Sequence, residues 1–235
     1  MTPDTPELPA VARYIIEMTN RVRTEEKLRD VRENVALSNT ARAYADYLAR
    51  NNLFSHTADG RKVADRVEEK GYVWCTVSEN LASVTDSLGF ESRALAKRTV
   101  EGWLNSKGHR ENMLAPHVTE IGVGLARVPG TVPKYVAVQL FARPKSLSYT
   151  FQITNSTREP VTYTFGGETQ EIAPSMGIQH QACVPSAISF DQVGKGAGAR
   201  EIKARYEATD GIVYVLKPDK AKGVTVEIEP RRRVE

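Results

Sequence analysis

The sequence predicts an α+β chain in two parts, and three observations carry that prediction. Apolar residues recur at helical spacing up to residue 114, change to strict alternation near residue 119, and keep alternating to the C-terminal end. The helical part, closed by a strand pair, predicts a layered α and β domain over residues 8–145. The remainder, 146–235, predicts a separate β-sandwich or small β-barrel.

The elements follow in order. VARYIIEMTNRVR sets Val11, Ile15, Met18 and Val22 on one helical face. In SNTARAYADYLARNNLF, Ser38 or Asn39 is the expected N-cap, with Ala41, Ala45, Leu48 and Ala49 on the buried stripe. VADRVEEKGY is a short helix stopped by Gly71. ESRALAKRTVEGWLNS is another, burying Leu95, Val100, Trp103 and Leu104. SHTADGRK and WCTVSENLASVTDSLG are read as loops. TEIGVGLARV then alternates Ile121, Val123 and Leu125 with small residues, and KYVAVQLFARP answers it across PGTVP as a hairpin. Beyond Pro144 seven or eight short strands are expected, among them SLSYTFQITN, PVTYTFGG, GIVYVLKP and VTVEIEP.

Composition narrows the function. The chain has 235 residues, 40% hydrophobic and 26% charged, which suits a globular protein. Its 32 Lys and Arg are interspersed with 29 Asp and Glu, a net charge of +3, so nucleic acid is not an expected partner. The run Arg231, Arg232, Arg233 reads as a solvated tail. No apolar run reaches the ~18 residues of a membrane span, and the opening MTPDTPELPAVARYII lacks the order of a secretory leader. Cys75 and Cys183 are too far apart for a redox or metal motif, and free buried thiols are expected rather than one bridge.

Three fragments carry chemistry: FSHTADG, SENLA and GHRENML. They contribute His56, Glu79 and His109, which only a fold can unite. Two imidazoles and a carboxylate suit a divalent ion such as zinc, or proton transfer near neutral pH. Taken singly, each has a plainer reading. His109 is a residue at a helix C-terminus, His56 closes a turn with Asp59 and Gly60, and Glu79 holds loop amides. Trp103 reads as core, Asn112 as a turn residue, and His180 with Cys183 as a β-surface pair.

In series, the fragments resemble the CAP superfamily of cysteine-rich secretory, antigen 5 and pathogenesis-related proteins (the SCP domain), in its bacterial, disulfide-poor form. TNRVR is like the opening N-x-x-R. ALSNTARAYADYLARNNLFSH is similar to L-x-x-x-A-x-x-x-A followed by F-S-H. SENLA stands where G-E-N-[LI]-A belongs, GWLNSKGHRENML looks like G-W-x-x-S-x-G-H-R-x-N-[IL]-L, and TEIGVGLA and VAVQLFA match I-G-V-G and the closing V-Q-x-F.

The resemblance implies a three-layer α-β-α sandwich with an open cleft lined by two histidines and two glutamates. It maps His56, Glu79 and His109 onto three of these; Ser106 stands where the second glutamate falls. Asn80 and Arg110 complete the implied ligand cleft, with His56 and His109 as the metal pair. Ser78 replaces a glycine and would be strained if its φ were positive. The implied protein is secreted or attached to the cell envelope, extracellular or periplasmic, and binds a small-molecule, lipid or cell-wall ligand, with zinc as the candidate cofactor. Two alternatives accompany this. One is a hydrolase using His56 or His109 as general base with Glu79 orienting it; the other is an interaction module whose specificity lies in the β domain.

Overall fold

The computed structural model describes residues 5–220 and 223–231. It divides into two compact units at Ser146/Leu147.

The first unit runs α1 (Leu8–Glu25), β1 (Arg32–Glu33), α2 (Val35–Asn51), α3 (Val63–Glu69), β2 (Trp74–Thr85), α4 (Ser92–Leu104), α5 (Lys107–Met113), β3 (Glu120–Val128) and β4 (Lys134–Pro144). Its sheet has the order β1-β3-β4-β2, with β1 parallel to β3 and the other pairs antiparallel. On one face α1, α4 and α5 bury Ile15, Leu95, Trp103 and Met113 against Ile121 and Phe141. On the other, α2 and α3 bury Leu37, Leu48 and Val67 against Leu81 and Val138. The central strands are therefore apolar on both faces, and the unit is a three-layer α-β-α sandwich.

Helix α2 lies almost on the backbone of β3. A Cβ on Gly122 would fall 2.3 Å from the Leu37 carbonyl carbon, and one on Gly124 would fall 2.1 Å from the Arg42 nitrogen. Only glycine permits that approach. The I-G-V-G motif is thus a packing device.

Several local expectations change. The α2 N-cap is Asn34, whose Oδ1 accepts from the Ala36 and Leu37 amides; Ser38 lies inside the helix and donates to Glu33. WCTVSENLASVTDSLG is not a loop, since its first twelve residues form β2, one of the sheet's two edge strands. Ser78 lies in that strand and has no positive φ, so the strain considered for it does not arise. The stretch 102–114 does not merely end a helix, because after Ser106 a new one, α5, begins. Gly71 does stop α3, at φ +78°. Cys75 and Cys183 are both disulfide-bonded rather than free thiols.

The second unit holds β5 (Tyr149–Asn155), β6 (Val161–Phe165), β7 (Glu168–Ile172), β8 (Gly177–Ala182), β9 (Ala187–Val193), β10 (Arg200–Glu207), β11 (Ile212–Asp219) and β12 (Gly223–Pro230). They form two four-stranded sheets, β10-β9-β6-β7 and β12-β11-β5-β8, an open sandwich rather than a closed barrel. Inward residues Phe151, Ile153, Tyr163, Phe190, Tyr214 and Leu216 fill its core. His180 is not a surface residue there: its ring stacks on Phe151, and its Nε2 lies 2.9 Å from the Tyr163 hydroxyl. Of the basic tail only Arg231 is described; Arg232 and Arg233 lie outside the described residues.

Candidate functional site

The site is built around edge strand β2, whose alternation sends adjacent side chains to opposite layers. Glu79 points into the α2–α3 layer. Asn80 points into the layer of α1, α4 and α5.

On the Glu79 side, the turn after α2 delivers His56, whose Nδ1 lies 2.8 Å from Glu79 Oε1. The other carboxylate oxygen accepts from Arg66 Nη2 on α3 at 2.7 Å. Arg66 also donates to the His56 carbonyl at 3.1 and 3.2 Å, to the Arg61 carbonyl at 3.0 Å and to Asp59 Oδ1 at 3.0 Å. Its guanidinium lies 3.5 Å over the Tyr44 ring. The Tyr44 hydroxyl in turn donates to the Ser55 carbonyl and accepts from the Ala58 amide, so α2 grips the same turn. Burial pushes the Asp59 carboxyl up, but the Arg61 amide and the Arg61 and Arg66 guanidiniums outweigh it and hold it below its usual value. The His56 side chain remains 57% exposed over a Glu79 that is 3% exposed.

On the Asn80 side, a polar chain links α1 to α5 through β4 and β2. Thr19 Oγ1 on α1 accepts from Gln139 Nε2 on β4 at 3.0 Å, and Gln139 Oε1 accepts from Asn80 Nδ2 at 3.0 Å. Asn80 Nδ2 also donates to the His109 carbonyl at 3.1 Å, while Asn112 Nδ2 donates to Asn80 Oδ1 at 2.8 Å. All of these satisfy buried polar atoms, and together they fix α5 to the edge strand. Asn112 is therefore an anchor of α5 rather than a turn residue.

His109 lies in the first turn of α5, so a macrodipole argument for a helix C-terminus does not apply. Its ring faces a groove of about 460 Å³ whose walls include Phe54, Leu81, Trp103 and Ser106. Burial, then the nearby His56, push the His109 imidazole below its ordinary value. The two imidazoles are thus electrostatic neighbours, although they come from opposite layers.

Of the predicted residues, Ser106 and His109 line this groove; His56, with Glu79 behind it, is tied to the groove through its electrostatic effect on His109. Asn80 is fully buried and acts behind His109. Arg110 turns away to pair with Glu26, Nη2 to Oε1 2.6 Å. Ser106 Oγ makes no hydrogen bond to His109 among the described residues. Sequence reasoning missed Arg66, Gln139 and Thr19. Arg66 sits in VADRVEEK, where every charged residue reads as solvent-facing, and no local signal marks it.

The three-layer fold is that of an SCP-type domain, and comparison with known proteins agrees. The family model described as "Cysteine-rich secretory protein family" (CAP) matches residues 16–141, and the chain belongs to that family. Its sequence is 30% identical over 116 residues to the uncharacterized protein YkwD of Bacillus subtilis (strain 168), covering 49% of this chain and 42% of that protein. The chain spans less than half the length of the curated relatives it matches. An outer surface protein from Borrelia burgdorferi superposes with a TM-score of 0.50 at 22% identity, covering 57% of this chain and 93% of that one. An extracellular protein containing an SCP domain from Bacillus anthracis str. Ames gives 0.48 at 26% identity, over 58% and 41% of the two chains. No described helix is long and apolar enough to cross a membrane.

Proposed function

We propose that this is an extracellular ligand-binding protein whose groove takes a divalent cation of borderline character, such as zinc, between His56 and His109. Beyond it, the exposed Phe54 on the groove wall accepts the apolar portion of a lipid or cell-wall component. The observation that carries this reading is the Glu79 carboxylate 2.8 Å behind His56 Nδ1, with His109 lining the groove and feeling the His56 charge.

The donors suit such an ion. Glu79 occupies His56 Nδ1, which leaves Nε2 as the free lone pair, the carboxylate–histidine arrangement that supports metal binding from behind. The depressed pKa keeps His109 neutral, and so a ligand, at neutral pH. Among the described residues no cluster of three or more His, Cys, Asp or Glu side chains gathers to hold a metal. The protein thus supplies two nitrogens, and water completes the shell. Disulfide-bonded cysteines support an oxidising, extracytoplasmic compartment.

The test is thermal unfolding with added zinc. An ion at about a hundred times its Kd stabilises by about 2.7 kcal/mol, visible as a raised Tm. His56→Ala and His109→Ala should each abolish the rise. A zinc response unchanged in both variants overturns the metal part of the proposal. Turnover of ester, peptide or cell-wall substrates that depends on Glu79 would overturn its non-catalytic part.

A further inference from the structure

We infer that Arg66 is the positioning residue of this groove: by holding Glu79 from the buried side it fixes His56 in the Nδ1–H tautomer, so that Nε2 is the atom presented. The inference rests on the reading of His56 as a groove residue and deepens it.

Arg66 grips the histidine at both ends. Its Nη2 binds Glu79 Oε2 at 2.7 Å while the other oxygen takes the His56 ring at 2.8 Å, so one carboxylate is shared between a guanidinium and an imidazole. The same guanidinium takes the His56 carbonyl at 3.1 and 3.2 Å. Backbone and ring are therefore referenced to one rigid, planar group, whose fork can span both acceptors. Tyr44 stacks on that plane at 3.5 Å, and the side chain is 4% exposed, so it has little freedom to move.

The electrostatic consequence is specific. Without Arg66, the buried Glu79 carboxylate would keep the exposed His56 ring as its one side-chain partner among the described residues. With Arg66 it has a permanent cation on one oxygen, accepts from Nδ1–H on the other, and is turned away from the groove. A neutral histidine freed of this contact prefers to carry its proton on Nε2. Which nitrogen is protonated is set by what the other bonds. Arg66 thereby decides that the groove receives a lone pair rather than an N–H, although it does not line the groove itself.

A purely structural arginine would anchor the 55–61 turn and leave the tautomer alone. Asp59 separates the two roles: it ties Arg66 and Arg61 into that turn but touches neither His56 nor Glu79. Nitrogen-15 histidine spectra of the full chain, recorded without metal in mildly alkaline buffer, read the tautomer directly. Thermal unfolding reads stability separately. The wild type should show a single Nδ1–H form for His56. Asp59→Asn should lower the Tm and keep that form. Arg66→Met should lower the Tm and make Nε2–H the major form. Arg66→Lys, which retains the charge but not the fork, should give a mixture, and it decides the question if Arg66→Met does not fold. A folded Arg66→Met or Arg66→Lys that keeps the wild-type tautomer overturns the inference. So does an Asp59→Asn spectrum shifted as far as that of Arg66→Met. Because no metal is added, a failed zinc response and a failed tautomer prediction are distinct results.

Discussion

Glu79 Oε2 lies 2.7 Å from Arg66 Nη2, with only 3% and 4% of the two side chains exposed. A pair so deeply buried costs desolvation to assemble, yet breaking it is worse, because the survivor keeps its charge without its partner. Glu79→Ala should destabilise the first unit by about 3 kcal/mol, and Glu79→Gln, which keeps the shape and some hydrogen bonding, by less. Urea unfolding followed by the fluorescence of Trp74 and Trp103 checks both values. A loss under about 1 kcal/mol for Glu79→Ala, the range of an exposed pair, would contradict the buried geometry.

Stability should fall on mild acidification. Burial first, then His56, push His109 down; burial first, then Arg143 and Arg23, push His117 down; burial alone does so for His180. Folding therefore favours their neutral forms, while the unfolded chain binds protons near pH ~6.5. The contribution is complete above that value and is lost as pH drops below it towards the depressed folded values. Asp59 adds a second loss at lower pH, because the fold holds its carboxyl below the usual aspartate value. Unfolding free energies between about pH 8 and pH 5 should show the slope, and His109→Asn with His117→Asn should flatten it for the first unit.

Gly124→Ala tests the close contact of α2 with β3. The added Cβ would lie 2.1 Å from the Arg42 nitrogen, a backbone atom that cannot swing aside. The whole helix must move, at about 3 kcal/mol or more. Gly102→Ala, where nothing lies within 4 Å of the new Cβ, is the control and should be neutral or slightly stabilising.

Asn80→Ala removes the hub that joins Gln139, Asn112 and the His109 carbonyl. The abandoned polar atoms predict a loss of about 2 kcal/mol. Amide exchange in α5 should accelerate more than exchange in β3, and the zinc-dependent rise in Tm should shrink. Equal acceleration in both elements would mean that Asn80 does not hold α5 in particular.

Legibility followed periodicity. Helices with one apolar face and strands such as β5, where Tyr149, Phe151 and Ile153 alternate, were plain from the sequence. β2 was not, because it buries polar groups on both faces: Glu79 on one and Asn80 on the other erase the alternation that marks a strand. α5 was hidden by brevity and by Gly108, which made its few helical residues look like the end of α4. The glycines of β3 were visible as small residues, but their reason lies in a helix far earlier in the chain. His56, Glu79 and His109 were singled out through an ordered set of motifs. Arg66 lay outside every motif, and its role depends on an Asp, a Glu and a Tyr that only folding assembles.

The neighbours Glu79 and Asn80 also act on strand pairing. β2 is an edge strand, bonded on one side only, and a single-residue slip would exchange its two faces. Such a slip would press a carboxylate against Gln139 and leave Arg66 facing an amide, stranding charge in both layers at once. The dipeptide therefore serves as a keyed latch that admits β2 in one alignment. That alignment is the one in which Glu79 reaches Arg66 and His56 in one layer while Asn80 reaches Gln139 and Asn112 in the other.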